Sequence, residues 1–238
     1  MFYFILPTIM TYKFILLAAA IIPAIFLMVR VYRLDRIEKE SDYMLWNLVK
    51  AGVFSALIAL VSERVLSTLL NILVSDAGLY QVLLYFGVVA CSEEGAKYFL
   101  MKRNTWDSPE FNCRYDGVVY AVFVSLGFAL WENVSYVMHY GFSTAIIRAV
   151  TAIPGHTCFG VFMGVFYGTA RQLENMGETE KAKTYRILSV LVPVLLHGTY
   201  DYIASTKASS LYFVGFIALL FAFSYSVVKK SAAQDSYI

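Results

Sequence analysis

Residues 80–103 read YQVLLYFGVVACSEEGAKYFLMKR, and the solvent that this stretch requires decides the fold. A helix needs roughly 20 mostly apolar residues to cross a hydrocarbon core, and this run is long enough. Yet Glu93, Glu94 and Lys97 lie inside it. Ionisable groups at bilayer depth are costly, so they persist where they pair, line a polar cavity or do chemistry. Glu93 is four residues before Lys97 and Glu94 three, so one lysine can reach both carboxylates from the same helix. The two adjacent glutamates point about 100° apart. One can face a cavity while the other pairs with Lys97. Two carboxylates in a low dielectric do not both stay ionised without a cation or a proton nearby.

The rest of the chain needs the same solvent. It is 59% hydrophobic and 15% charged over 238 residues, whereas a soluble domain carries about 25% charged residues. Apolar runs near 14–32, 50–74, 78–101, 116–138, 145–170, 187–204 and 209–228 predict about seven transmembrane helices. Each run is long and continuous rather than short and alternating, which selects helices over barrel strands. The expected fold is an all-α polytopic membrane bundle, one transmembrane domain over residues 1–238. Sequence repeats and low-complexity tracts are absent. A net charge of +2 gives no support to a nucleic-acid partner. Cys91, Cys113 and Cys158 are odd in number and form no CxxC pair, which argues against a disulfide framework. The first twelve residues carry no cation and no small-residue cleavage site follows, so an uncleaved anchor is expected. Met10 is an alternative start, because residues 10–32 alone make a complete span.

Lys and Arg set topology through the short loops. With seven spans, fourteen of the 19 fall on one side, from Arg30, Arg33 and Arg36 to Lys229 and Lys230. Lys13, Arg148 and Lys207 fall on the other, and Arg64 and Lys97 lie within spans. This places the N-terminus outside and the C-terminus in the cytoplasm.

Further polar residues interrupt the other spans. Glu132 has no basic residue within a turn of its own span and needs a partner on another helix, a proton or a metal; Asn133 beside it can donate and accept. Pro154 and Gly155 disturb the helix just before His156. Gly160, Gly164 and Gly168 form a stripe for close helix packing. His197 and Asp201 are four apart on one face, where the carboxylate can orient the imidazole or both can reach a metal. Glu63 and Arg64 read as a polar cap or a pair with another helix. Counted from these span boundaries, Glu93 lies nearer the cytoplasmic side, and Glu132, His197 and Asp201 nearer the outside. Either the helices tilt, the boundaries shift by several residues, or the chain holds two separate polar sites.

Four motifs in order, SEEGAK (92–97), FALWEN (128–133), PGHTCFGVFMG (154–164) and HGTYD (197–201), resemble the EExxK, FxxxEN, HxxxG and HGxYD signatures of the PrsW family of intramembrane proteases. The opening Ala19–Glu40 is also similar to that family's first span. The resemblance covers nearly the whole chain. It implies peptide-bond hydrolysis in a bacterial plasma membrane, on a single-span substrate such as an anti-sigma factor.

The expected chemistry places Glu93 or Glu94 as general base. Glu132, His156 and His197 would hold a Zn²⁺ ion, or position water and oxyanion directly. Lys97, Asn133 and Asp201 would support them. A rival reading is a proton- or ion-coupled transporter that uses the buried acids as a relay.

Overall fold

The computed structural model describes residues 2–206 and 210–238, with side chains described from Met10 onward. Met1 and Lys207 lie outside the described residues. Among those described, the chain is helical throughout, joined by short loops. The elements are α1 (Phe2–Leu34), α2 (Asp42–Leu73), α3 (Ala77–Val82), a π-helical segment (Leu83–Ala90), α4 (Cys91–Thr105), α5 (Asp116–Tyr140), α6 (Phe142–Val150), α7 (Ala152–Asn175), α8 (Thr179–Ser205) and α9 (Ser210–Ala233).

Six helical stretches are long and apolar enough to cross a membrane: Met10–Leu34, Asp42–Leu73, Asp116–Tyr140, Phe142–Asn175, Thr179–Ser205 and Ser210–Ala233. The stretch expected as a further span over 78–101 is not among these six; Ala77–Thr105 is built from α3, the π segment and α4, and it carries Glu93, Glu94 and Lys97. This is the all-α polytopic bundle that the hydropathy predicts. Several boundaries differ from the sequence reading: α2 begins at Asp42 rather than near 50. α8 begins at Thr179 rather than near 187, because its polar first turns are helical although not apolar. The pass expected over 145–170 breaks at Thr151 (φ −122°, ψ −73°) into α6 and α7. Pro154 then falls in the first turn of α7, where its missing N–H would have had no helical partner.

α5 is the hub, with 78% of its apolar window buried inside the protein. Small residues allow its neighbours to approach. A Cβ added at Gly164 on α7 would lie 2.4 Å from Gly117 O and from Val118 Cα on α5. The glycine stripe read from the sequence is therefore a backbone-to-backbone contact with α5. In lipid, where apolar burial between helices gains little, such packing is a main source of association.

The end that bears α5's N-terminus is clasped by polar contacts. Glu110 accepts from Ser41 N at 3.0 Å and Ser41 Oγ at 3.1 Å. Asn112 Nδ2 donates to Glu38 Oε2 at 3.2 Å, and the C-terminal Ile238 N to Asn112 O at 2.8 Å. Tyr120 donates to Glu40 Oε2 at 2.9 Å. The loops after α1 and α4 and the C-terminal tail thus meet at one face.

Candidate active site

Glu93, Glu94 and Lys97 occupy the first turns of α4, immediately after the π segment, and all are buried. Lys97 Nζ lies 2.7 Å from Glu94 Oε1 and 3.3 Å from Glu93 Oε2, as the i,i+3 and i,i+4 spacings require. Its third polar neighbour comes from α7: His156 Nδ1, 3.4 Å away. The ring of Phe128 on α5 faces the ammonium, with its centroid 3.9 Å from Nζ.

A lysine ammonium has donors only, so Nδ1 of His156 is an acceptor and its Nε2 carries the proton. That Nε2–H donates to Glu132 Oε2 at 3.0 Å. Glu132 also accepts from Arg148 Nη2 at 2.9 Å, and Arg148 Nε donates to Asn133 Oδ1 at 2.8 Å. The other end of Asn133 donates to the carbonyl of Ala20 on α1 at 2.8 Å. Asn133 is fully buried and works through Arg148 rather than facing the cavity. His197 on α8 donates from Nδ1 to Glu94 Oε1 at 2.8 Å. Its Nε2 lies 3.4 Å from Asp201 Oδ2 and 3.9 Å from Glu93 Oε2. Phe159 stacks on the His197 ring at 4.8 Å and fixes its plane.

The depth mismatch read from the sequence is resolved by these elements. Glu93, Glu132, His156, His197 and Asp201 line one cavity of about 320 Å³, with Arg148, Glu63, Tyr85 and Tyr200. Two local features bring this about. A π-helical turn bonds i to i+5, is wider than an α-turn and advances less per residue, so Leu83–Ala90 shortens the stretch that precedes α4. Phe86 and Tyr85 of this segment pack on Tyr202 of α8, and Phe86 lies over Gly198, whose missing side chain makes the room. Gly141, at φ 84°, turns α5 into α6, and α6 folds back to set Arg148 beside Glu132 and Asn133.

All eight residues singled out in the sequence belong to this assembly. Arg148 was counted there as an outer-loop cation, and it lines the cavity instead. The signal existed: Glu132 lacked a basic neighbour, and Arg148 is the cation embedded in the apolar stretch Ile146–Val150. Glu63 was given a minor role, and it too lines the cavity. Glu63 and Val89 are shared with a second groove of about 610 Å³, between α2 and the π segment, which Leu60, Arg64, Ser67 and Leu84 also line.

Buried acids and imidazoles from α4, α5, α7 and α8 thus converge on one cavity, beside a groove between α2 and the π segment. A family model described as PrsW family intramembrane metalloprotease matches residues 40–228. The chain belongs to the PrsW family. It is similar to Protease PrsW of Bacillus subtilis, 30% identical over 224 residues that cover 93% of this chain and 98% of that protein. Protease PrsW of Geobacillus kaustophilus is 31% identical, covering 94% of each chain. Protease PrsW of Halalkalibacterium halodurans is 39% identical over 109 residues, 46% of this chain and 48% of its own. No solved structure matches the chain. As a PrsW family member, the protein is a multi-pass membrane protease, and its relatives are bacterial.

A metal would need donors of the right kind and spacing. Among the described residues, Glu93, Glu94 and His156 offer ligand atoms that all lie within 4.8 Å of one another. Glu94 Oε2 is buried without a hydrogen-bond partner, a spare acceptor. The set fits a metal ion in its chemistry, and Lys97 Nζ lies beside it, 2.7 Å from Glu94 Oε1, 3.3 Å from Glu93 Oε2 and 3.4 Å from His156 Nδ1.

Proposed function

We propose that the protein cleaves a peptide bond of a membrane-anchored substrate with Glu93 as the water-activating base. The observation that carries this reading is the division of labour between the two glutamates. Glu94 is wholly buried, with one oxygen bound to Lys97 and His197; Glu93 is on the cavity wall. A base must reach the water whose proton it takes.

The proposed cycle uses the chain's own groups. Glu93 takes a proton from water as the water oxygen bonds to the substrate carbonyl carbon. Arg148, whose guanidinium has five N–H donors and uses Nε and Nη2 on Asn133 and Glu132, presents the rest to the developing oxyanion. Glu93 then returns the proton to the amide nitrogen as the C–N bond breaks, leaving a carboxylic acid whose proton passes to the released amine, so that the products are a carboxylate and an ammonium group. His156 and Glu132 hold Arg148 in place. Glu94 and Asp201 orient His197, whose Nε2 faces the water site. Zinc is the ion suited to mixed imidazole and carboxylate donors, and here it would have to take the place of the ammonium.

The proposed substrate is a single-span membrane protein, such as an anti-sigma factor, cut at the first step of regulated proteolysis in a bacterial plasma membrane. The family resemblance supports the class. The groove bounded by Glu63 and Val89 supports an approach from within the bilayer. The test is reconstitution in vesicles with a single-span anti-sigma reporter. Cleavage by the parent and none by Glu93→Gln is expected. Ion flux without cleavage would replace this reading with the transporter.

A further inference from the structure

The Lys97 ammonium has three N–H donors and meets three polar atoms, Glu94 Oε1, Glu93 Oε2 and His156 Nδ1, at 2.7, 3.3 and 3.4 Å. These are the side chains with metal-ligand spacing. Phe128 closes another side with its ring face, which attracts cations. Lys97 is fully buried, so water does not share the position. A zinc ion bonded to these donors would sit about 2.0–2.2 Å from each. Lys97 Nζ already lies against one donor atom of each of these three side chains, and two cations do not share one set of donors.

We propose that Lys97 is the resident cation of the Glu93–Glu94–His156 cluster, and that this cluster accepts a divalent metal only when the ammonium is removed. The proposal deepens the functional reading of the same site and makes Lys97 a positioning residue. It supplies the positive charge that two buried carboxylates require, fixes the tautomer of His156, and thereby sets the proton on the nitrogen that faces Glu132. The unpartnered Glu94 Oε2 is the further oxygen that a metal would recruit if the lysine left.

The experiment counts zinc. Full-length protein is purified without a tag, stripped with chelator, exposed to zinc sulfate, desalted and measured by elemental mass spectrometry. The parent is compared with Glu94→Gln, Lys97→Met, Lys97→Gln and Lys97→Arg, and each neutral Lys97 variant is also combined with Glu94→Gln. Monodisperse elution and helical circular dichroism establish folding. The expected result is about one more zinc per chain in a folded neutral variant than in the parent. That gain is absent from Lys97→Arg and lost again when Glu94→Gln is added. A folded neutral variant that gains no zinc overturns the proposal. So does parent zinc that disappears on Glu94→Gln, since the cluster would then hold metal with the lysine present. If neither neutral variant folds, this last comparison decides alone. Zinc counts do not read cleavage, so a protein that shows the expected counts and cleaves nothing refutes the hydrolase and leaves the cation assignment standing.

Discussion

The two glutamates of SEEGAK should fail in opposite ways when each is changed to glutamine. Glu94 Oε1 holds Lys97 at 2.7 Å and His197 at 2.8 Å, both with buried partners. Hydrogen bonds to charged groups contribute about 1.5–3 kcal/mol each, and cutting a buried ion pair costs about 3–5 kcal/mol. Glu93 remains 3.3 Å from Lys97 after the change, so the ammonium is not abandoned. Glu94→Gln should therefore lower stability by about 2–4 kcal/mol. Glu93→Gln loses only the longer contact, costing about 1 kcal/mol, but it removes the base on the cavity wall. Its turnover should fall about 10²–10⁴-fold. Thermal unfolding in detergent reads the first effect, and cleavage of a single-span reporter in vesicles at a temperature where both variants are folded reads the second. The reasoning is refuted if Glu93→Gln keeps more than about a tenth of parental turnover. It is equally refuted if Glu94→Gln melts like the parent yet loses more turnover than Glu93→Gln.

Other consequences follow from separate parts of the molecule. Arg148→Ala should lower kcat about 10²–10³-fold, the usual effect of losing an oxyanion donor, with KM little changed; a rise in KM alone would assign Arg148 to substrate binding. Gly164→Ala should wedge α7 from α5, since the new methyl meets backbone 2.4 Å away, and cost about 1–3 kcal/mol in a melting experiment; an unchanged melt would mean that the helices are not in contact there. Outside the membrane passes, burial and the Asp116 charge push the Glu40 carboxyl up to about 9 from 4.5. The folded protein keeps a proton there that the unfolded chain releases above the lower value, so the stability gained is full below it and is lost as pH rises through the upper. The parent should melt at lower temperature at pH 8 than at pH 5.5, and Glu40→Gln should remove about 1–3 kcal/mol of that difference; an equal slope in both proteins would show Glu40 ionised in the folded state.

What the sequence makes legible here depends on whether a partner lies on the same helix. Glu93, Glu94 and Lys97 are neighbours on one turn-and-a-half of α4, and His197 and Asp201 on α8, so spacing alone pairs them correctly. Glu132 bonds to His156 and Arg148, which follow a helix break and a chain reversal at Gly141, and no periodicity encodes that meeting. What the sequence does reveal is the deficit: an acid at bilayer depth without a cation in its own span. Depth is hidden for a related reason. Counting residues at an α-helical rise cannot register a π segment, and LLYFGVVA carries no mark of one beyond its place before two buried acids. The π segment nonetheless makes contacts that couple it to α8. Phe86 lies over Gly198 of α8, one residue after His197, and Tyr85 and Phe86 pack on Tyr202, so the segment that precedes the glutamates rests on the helix that carries His197. Filling that face should therefore separate the cluster without touching it. Gly198→Leu, whose Cβ would start 2.5 Å from Phe86 Cδ1, should abolish cleavage while the Lys97–Glu94 pair within α4 survives. A cysteine-scan or spectroscopic distance from α4 to α8 that lengthens in this variant would support the coupling, and an active Gly198→Leu enzyme would break it.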